Sequence, residues 1–221
     1  MPRKPKIAFV TIGQSPRVDM TPEIIERVGA PIEAVEVGAL DDASREEIAA
    51  MAPPPDENSL CTRLRDGTEV VIGKRKTGER LQRLLDRLDG EGFDAITLLC
   101  TGYFEHLGSK TLLIEAQRVV DATVDAMSLG CRNLGLMVPL ERQVKEMHVQ
   151  STPERRVTAT HYSPYSGDRL DQAAREVAGC DLVVMHCMGY SEAMRARTAA
   201  ITQKPVLLAR RIVAGAVQQI V

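Results

Sequence analysis

Short apolar runs alternate along this chain with longer stretches in which apolar residues recur every three or four positions. The runs read as buried strands and the periodic stretches as helices with one buried face. The first run, at 6–12, is closed by Gly13. Thr21 with Pro22 and Glu23 marks a helix start, because Pro suits the first helical position and an acid complements the positive end; a helix is predicted over 22–27 with Thr21 as its cap. A strand follows over 32–37, and Ser44 with Glu47 forms a capping box that opens a short helix ending before Pro53. A turn at Asp66-Gly67 and the β-branched stretch 68–72 predict a hairpin or edge strands. Leu81, Leu84, Leu85 and Leu88 share one face of a helix over 77–88, stopped by Gly90 and Gly92. Beyond lie strands at 111–114, 133–138, 156–161 and 205–208, and helices at 118–129, 140–149, 168–178, 191–201 and 210–221.

One pattern of twelve residues occurs twice, as Asp94 to Glu105 and again as Asp181 to Glu192. Asp, Cys, Gly, Tyr and Glu occupy the same register in both copies: Asp94, Cys100, Gly102, Tyr103 and Glu105 against Asp181, Cys187, Gly189, Tyr190 and Glu192. Each copy reads as a buried parallel strand that delivers a thiol to the loop at its end. Strand and helix alternate throughout, so the fold class is α/β: two pseudo-symmetric lobes, each a parallel sheet flanked by helices, with an active cleft between them. The first lobe is assigned to residues 1–115 together with 209–221, the final helix returning to it, and the second to 116–208. Right-handed crossovers put the loops after Gly13, Cys100, Pro139 and Cys187 on ligand-binding sheet edges.

Composition narrows the partners. Of 221 residues, 44% are hydrophobic and 26% charged, enough for a real core. Aromatics are only 3% with no Trp, which disfavours base- or sugar-stacking platforms, and a net charge of −2 argues against a nucleic-acid or anionic-membrane partner. No apolar run approaches the ~20 residues that cross a bilayer, and the Lys- and Arg-bearing start leads into a strand without a cleavable apolar segment, so the expected location is cytoplasmic. Five cysteines without a Cys-x-x-Cys pair are poor material for disulfides or zinc. No metal-ligand spacing, dinucleotide motif or P-loop is present, and no cofactor is expected. The sequence leaves the oligomeric state open, a homo-oligomer included.

Taken alone, a cysteine at a strand end is usually a small hydrophobe with an inert thiol. The repeat shifts that weighting, since each thiol precedes a Gly that lets a ligand approach and stands at a strand-to-helix junction whose N–H groups lower a free-thiol pKa of ~8.5. Two thiols on opposite sides of one substrate suit proton removal from a carbon next to a carboxylate or carbonyl, with return of a proton to the other face. Around Cys100 and Cys187 the candidate binding residues are Thr101, Gly102, Tyr103, Met188, Gly189 and Tyr190, the two tyrosines reading equally as ligand-facing hydroxyls or as packing. The first loop offers Thr11, Gly13, Gln14, Ser15 and Arg17, the Arg as a bidentate fork for a carboxylate; the alternative is a plain turn with Ser15 as a cap. His186, adjacent to Cys187, points to the opposite face of its strand and belongs to the core behind the thiol.

The Thr-Ile-Gly-Gln-Ser-Pro-Arg opening at 11–17, the Cys187-Met-Gly-Tyr end of the second repeat and Pro205-Val-Leu-Leu resemble the AroM family over nearly the full length. That family in turn resembles the aspartate/glutamate/hydantoin racemase superfamily. The resemblance implies two α/β lobes with one catalytic cysteine each, cofactor-independent 1,1-proton transfer, and Cys100 and Cys187 as the acid/base pair. Amino-acid racemases of the superfamily follow their cysteines with Asn-Thr and Thr-His, whereas here Thr101-Gly102 and Met188-Gly189 follow, the latter closer to the Cys-x-Gly of hydantoin racemases. The implied substrate is therefore a small carboxylate or cyclic amide rather than aspartate or glutamate. A single-cysteine decarboxylase or isomerase, and a small-molecule binding protein without turnover, are the alternatives.

Overall fold

In the computed structural model, which describes residues 3–147 and 149–221, parallel strands build two four-stranded sheets of identical strand order. Met1 and Pro2 of the expected first lobe, and His148 of the expected helix at 140–149, lie outside the described residues. The chain divides into two compact units, residues 1–119 with 213–221 and residues 120–212.

In the first unit, β1 (Lys6–Thr11) is flanked by β2 (Glu33–Gly38) and β5 (Ala95–Leu98), with β6 (Leu112–Glu115) outside β5. All pairs are parallel, with Lys6 opposite Glu33 and Ile7 opposite Ala95. β3 (Ser59–Arg63) and β4 (Glu69–Gly73) form the expected hairpin, antiparallel and separate from the sheet. β1 has five buried positions of six, as a strand covered on both faces requires. The core under it gathers Ala8, Val10, Ile96 and Leu98 with Leu81, Leu84, Leu85 and Leu88 of α3 (Lys74–Leu88), the leucine face read from the sequence.

The second unit repeats this order: β7 (Asn133–Val138) lies between β8 (Arg156–His161) and β9 (Leu182–Met185), with β10 (Val206–Leu208) outside β9. Its core is made by Met137, Val183, Met185 and Leu208 with Ala173 and Val177 from the helical side.

The repeated Asp has a structural duty. In each copy its backbone N–H donates to the first carbonyl of the central strand, Lys6 or Asn133, at 2.8 Å. Its carboxylate accepts the N–H of that same residue, at 2.7 Å for Asp94 and 2.8 Å for Asp181. Two neighbouring strands therefore start in register, and both strand ends emerge together at the opposite edge.

Three local expectations change. The cap of α1 (Thr21–Val28) is Met20; the carbonyl of Arg17 accepts the N–H groups of Met20 and Thr21, while the Thr21 hydroxyl donates to Glu36. Within the two parallel sheets the alternation of strand and helix also breaks once. β9 reaches β10 through α7 (Glu192–Thr202), but β5 reaches β6 through the stretch 99–111, which holds no helix. Phe104, buried there, anchors that loop in the first core. Gln82 and Asp89 of α3 and its end bond the backbone of Gly108, Lys110 and Thr111. Side chains from α3 thus do for this loop what helical backbone bonds do for α7. The helix expected over 140–149 is shorter, α5 (Glu141–Glu146).

Candidate functional site

Two residues past the end of β5 stands Cys100, and two past the end of β9 stands Cys187. The ladders continue one residue beyond the strands, Leu99 N–H donating to Val10 at 2.8 Å and His186 N–H to Met137 at 2.9 Å. Each cysteine is therefore the first residue released from its sheet. Both are buried thiols, at 7% and 8% exposure. In each copy the Gly two positions on turns its N–H back to the sulfur, Gly102 to Cys100 Sγ and Gly189 to Cys187 Sγ, both at 3.3 Å. A backbone donor aimed at sulfur favours the ionised thiol.

These glycines are required by close packing. A Cβ on Gly102 would stand 2.5 Å from Leu60 Cδ2, and one on Gly189 would stand 2.5 Å from the Tyr165 hydroxyl and 2.6 Å from Pro164 Cγ. On the Cβ side of each glycine the chain's own side chains fill the space. Cys100 also departs from the expected strand-to-helix junction, since no helix follows it before β6; Cys187 leads to α7, capped by Ser191.

The two tyrosines part company. Tyr190 is wholly buried, its hydroxyl donating to the Tyr162 carbonyl at 2.7 Å and its ring stacked on that of Tyr162. Tyr103 is exposed, with Lys74 Nζ 5.0 Å from its ring centre. Glu192 binds Arg195 and Arg211; burial pushes its carboxyl up, but these two guanidinium groups more than offset that and leave it below the ordinary value. Its counterpart Glu105 is exposed.

β1 lies beside β5, so the loop after β1 emerges at the same sheet edge as Cys100. Its polar groups bond mostly to one another and to neighbouring loops. Thr11 Oγ1 accepts from Gly13 N–H and Arg17 Nη1. Gln14 donates to Leu40 and accepts from Arg65 N–H. Ser15 gives both its N–H (2.7 Å) and its hydroxyl (2.6 Å) to Asp41, which also accepts Gly38 N–H and Arg65 Nη2. The Arg17 fork, expected to hold a ligand carboxylate, is buried and closes on the chain's own Asp19 at 2.9 and 2.8 Å. Burial would raise the Asp19 carboxyl, but Arg17, helped by Arg63, holds it below the ordinary value. A carboxylate two residues along the same loop reaches the fork at little entropic cost, which explains this local capture. Gly13 is pressed against the hairpin, where a Cβ would lie 2.5 Å from the Arg63 carbonyl.

Some participants escaped the sequence pattern. Asp41 reads in sequence as one of a solvated acidic pair, Asp41-Asp42. Arg210, at the start of α8 (Ala209–Gln218), is 1% exposed; its Nε and Nη2 donate to the Met188 carbonyl, both at 3.1 Å, and Nη2 also to the Gly189 carbonyl at 3.0 Å. The available signal was a cation at the positive end of a helix, which costs energy unless carbonyls elsewhere hold it. His186 is buried as expected and pairs through Nε2 with Asp121 at 2.9 Å. Among the described residues no group of three or more His, Cys, Asp or Glu could hold a metal ion, and no helix is long and apolar enough to cross a membrane.

A family model described as AroM protein matches residues 7–221. No match was found among curated proteins. Among solved structures, similar folds include a cysteine-to-serine mutant of Nocardia farcinica maleate cis-trans isomerase with a covalently bound succinylcysteine intermediate, at 15% identity, TM-score 0.60, covering 99% of this chain and 93% of that one. Unliganded arylmalonate decarboxylase matches at 11% identity and TM-score 0.55, covering 98% and 92%. Picrophilus torridus aspartate racemase matches at 12% and 0.56, covering 97% and 93%. At these identities the likeness is one of fold: two parallel sheets flanked by helices, as in these racemases, isomerases and decarboxylases.

Proposed function

Since this chain belongs to the AroM family, whose fold here is that of racemase- and isomerase-like enzymes, we propose that it is a cofactor-independent proton-transfer enzyme acting on a small carboxylate or cyclic amide in the cytoplasm. The observation that carries the reading is the repeated constellation: in both units a buried thiol, released at the sheet edge, accepts an N–H from the Gly two residues on at 3.3 Å. One sulfur, as thiolate, takes the proton from the carbon next to the carboxylate or carbonyl. The C–H electron pair passes into that group as an enolate, and the other sulfur, as thiol, returns a proton to the opposite face. The solved relatives are named for maleate, arylmalonate and aspartate, which supports small carboxylates as the first substrates to test. Thr101, Gly102, Tyr103, Met188 and Gly189 are proposed to border the substrate. The loop of Thr11, Gly13, Gln14, Ser15 and Arg17 is proposed as a rigid wall, and Tyr190 as support from behind.

Incubation with dicarboxylates, hydroxy acids and hydantoins in heavy water, followed by mass or proton spectra, checks this. Deuterium should enter at the α-carbon, and Cys100→Ser and Cys187→Ser should each slow its entry at least ~100-fold, the contribution typical of acid/base groups. Full exchange in both serine variants would end the two-thiol reading. Loss in one variant alone would move the assignment to single-cysteine chemistry, which the unlike connections after the two thiols favour, one a loop and the other leading to α7. Ligand-induced thermal stabilisation without exchange in any variant would leave a binding protein.

A further inference from the structure

The two sheets can be aligned residue by residue. Asp94 and Asp181 start equivalent strands, Leu98 faces Glu115 at the end of one outer ladder, and Met185 faces Leu208 at the end of the other. Two residues further on, the equivalent positions are Gln117 and Arg210, both buried and both in the first turn of the helix that follows. The repeat thus differs there by one full charge.

That charge lies one amide away from a thiol. The Met188 carbonyl and the Gly189 N–H are opposite ends of a single planar peptide group. Arg210 grips the oxygen end through Nε and Nη2, and the nitrogen end points at Cys187 Sγ at 3.3 Å. A guanidinium on the oxygen draws electron density through the amide, making its N–H a stronger donor, and hydrogen-bonded chains polarise one another in this sense. A strengthened donor favours thiolate over thiol because the charged sulfur is the better acceptor. Arginine keeps its charge when buried, so the bias holds at every working pH. The third contact, to the Gly189 carbonyl, fixes the next peptide and with it the Gly189 backbone. Gly102 N–H makes the same 3.3 Å approach to Cys100, but the equivalent residue there, Gln117, is neutral.

We propose that Arg210 is a positioning residue that polarises the Met188–Gly189 amide, so that Cys187 rests as the thiolate and Cys100 as the thiol. The inference rests on the proton-transfer reading for its consequence, which is a polarity of the reaction. Cys187 removes the substrate proton and becomes the thiol, Cys100 gives its proton to the other face and becomes the thiolate, and proton exchange with water restores the resting pair.

The test follows ultraviolet thiolate absorbance against pH in the full chain, a readout that needs neither turnover nor reagent access to the sulfur. The neutral-pH thiolate signal should persist in Cys100→Ser and vanish in Cys187→Ser. Arg210→Gln, which copies the first unit, should cut the Cys187 thiolate fraction near neutral pH about tenfold. Arg210→Lys, which keeps the charge without the fork, should retain most of it. A neutral-pH thiolate that belongs to Cys100, or a Cys187 titration unmoved by Arg210→Gln, overturns the inference. The two serine variants decide which sulfur is ionised even if Arg210→Gln does not fold. A Cys187 thiolate in a protein that exchanges no substrate proton sinks the enzyme reading and leaves the Arg210 assignment standing; exchange with a neutral Cys187 does the reverse.

Discussion

Asp41 carries more of the first loop than any residue within that loop. Its two oxygens accept Ser15 N–H, the Ser15 hydroxyl, Gly38 N–H and Arg65 Nη2. Gly38 has to be Gly because a Cβ would meet the Gly13 carbonyl at 2.5 Å. An amide at position 41 keeps one acceptor and turns two N–H donors toward groups that are themselves donors. Hydrogen bonds to a charged partner contribute about 1.5–3 kcal/mol each, and a buried donor left unmatched costs a similar amount. Asp41→Asn should therefore destabilise the protein by about 2–3 kcal/mol, read as a lower urea midpoint with an unchanged slope. A loss below ~0.5 kcal/mol would mean that the loop holds its shape without this carboxylate. Arg17 belongs to the same lesson: its fork reads in sequence as a ligand grip, and the fold spends it on Asp19.

At the scale of elements, the two units treat the link from the thiol strand to the outer strand differently. The second unit inserts α7, whose first turn is capped by Ser191 Oγ accepting the Met194 N–H at 3.3 Å. Replacing an N-cap serine by alanine typically costs about 1 kcal/mol. Ser191→Ala should lower stability by about that amount and loosen the backbone between Cys187 and Glu192, seen as faster amide hydrogen exchange across α7 while β7 stays protected. Equal exchange in the variant and the parent would show that Glu192, held by Arg195 and Arg211, suffices to fix the helix start. The first unit has no such helix and relies on Phe104, Gln82 and Asp89 to hold 99–111. Side-chain stitching of this kind has no periodic signature, so the alternation of runs along the chain predicted a helix junction where the structure has a loop.

Across the whole molecule, the repeated Asp contributes to the acid limb of stability. Hydrogen bonding and charge from Arg3, with the Lys6 N–H, hold the Asp94 carboxyl below its ordinary value. The N–H groups of Asn133 and Arg132 do the same for Asp181. Folded carboxyls that lose their protons more readily than unfolded ones contribute stability above the unfolded pKa of about 3.9, and that contribution disappears as pH falls through the lower folded values. Chemical denaturation from neutral to strongly acid pH should show this fall, and it should flatten in an Asp94→Asn, Asp181→Asn double variant; an unchanged acid limb would remove these two groups from the account. The sequence by itself determined the α/β class, the leucine face of α3, the hairpin, the capping serine Ser44, the family, and the two-fold occurrence of a thiol at a strand end. Those features follow from periodicity and from neighbours within a few residues, which a linear pattern records. Only the tertiary structure decided that Tyr190 packs on Tyr162 while Tyr103 stays exposed, that Arg17 is bound by Asp19, and that Arg210 stands behind the Cys187 loop. Those outcomes depend on which side chains the folded backbone brings within bonding distance. Residues as far apart in the chain as Arg210 and Met188, or Asp41 and Ser15, meet only once the strands have paired and the helices have closed over them.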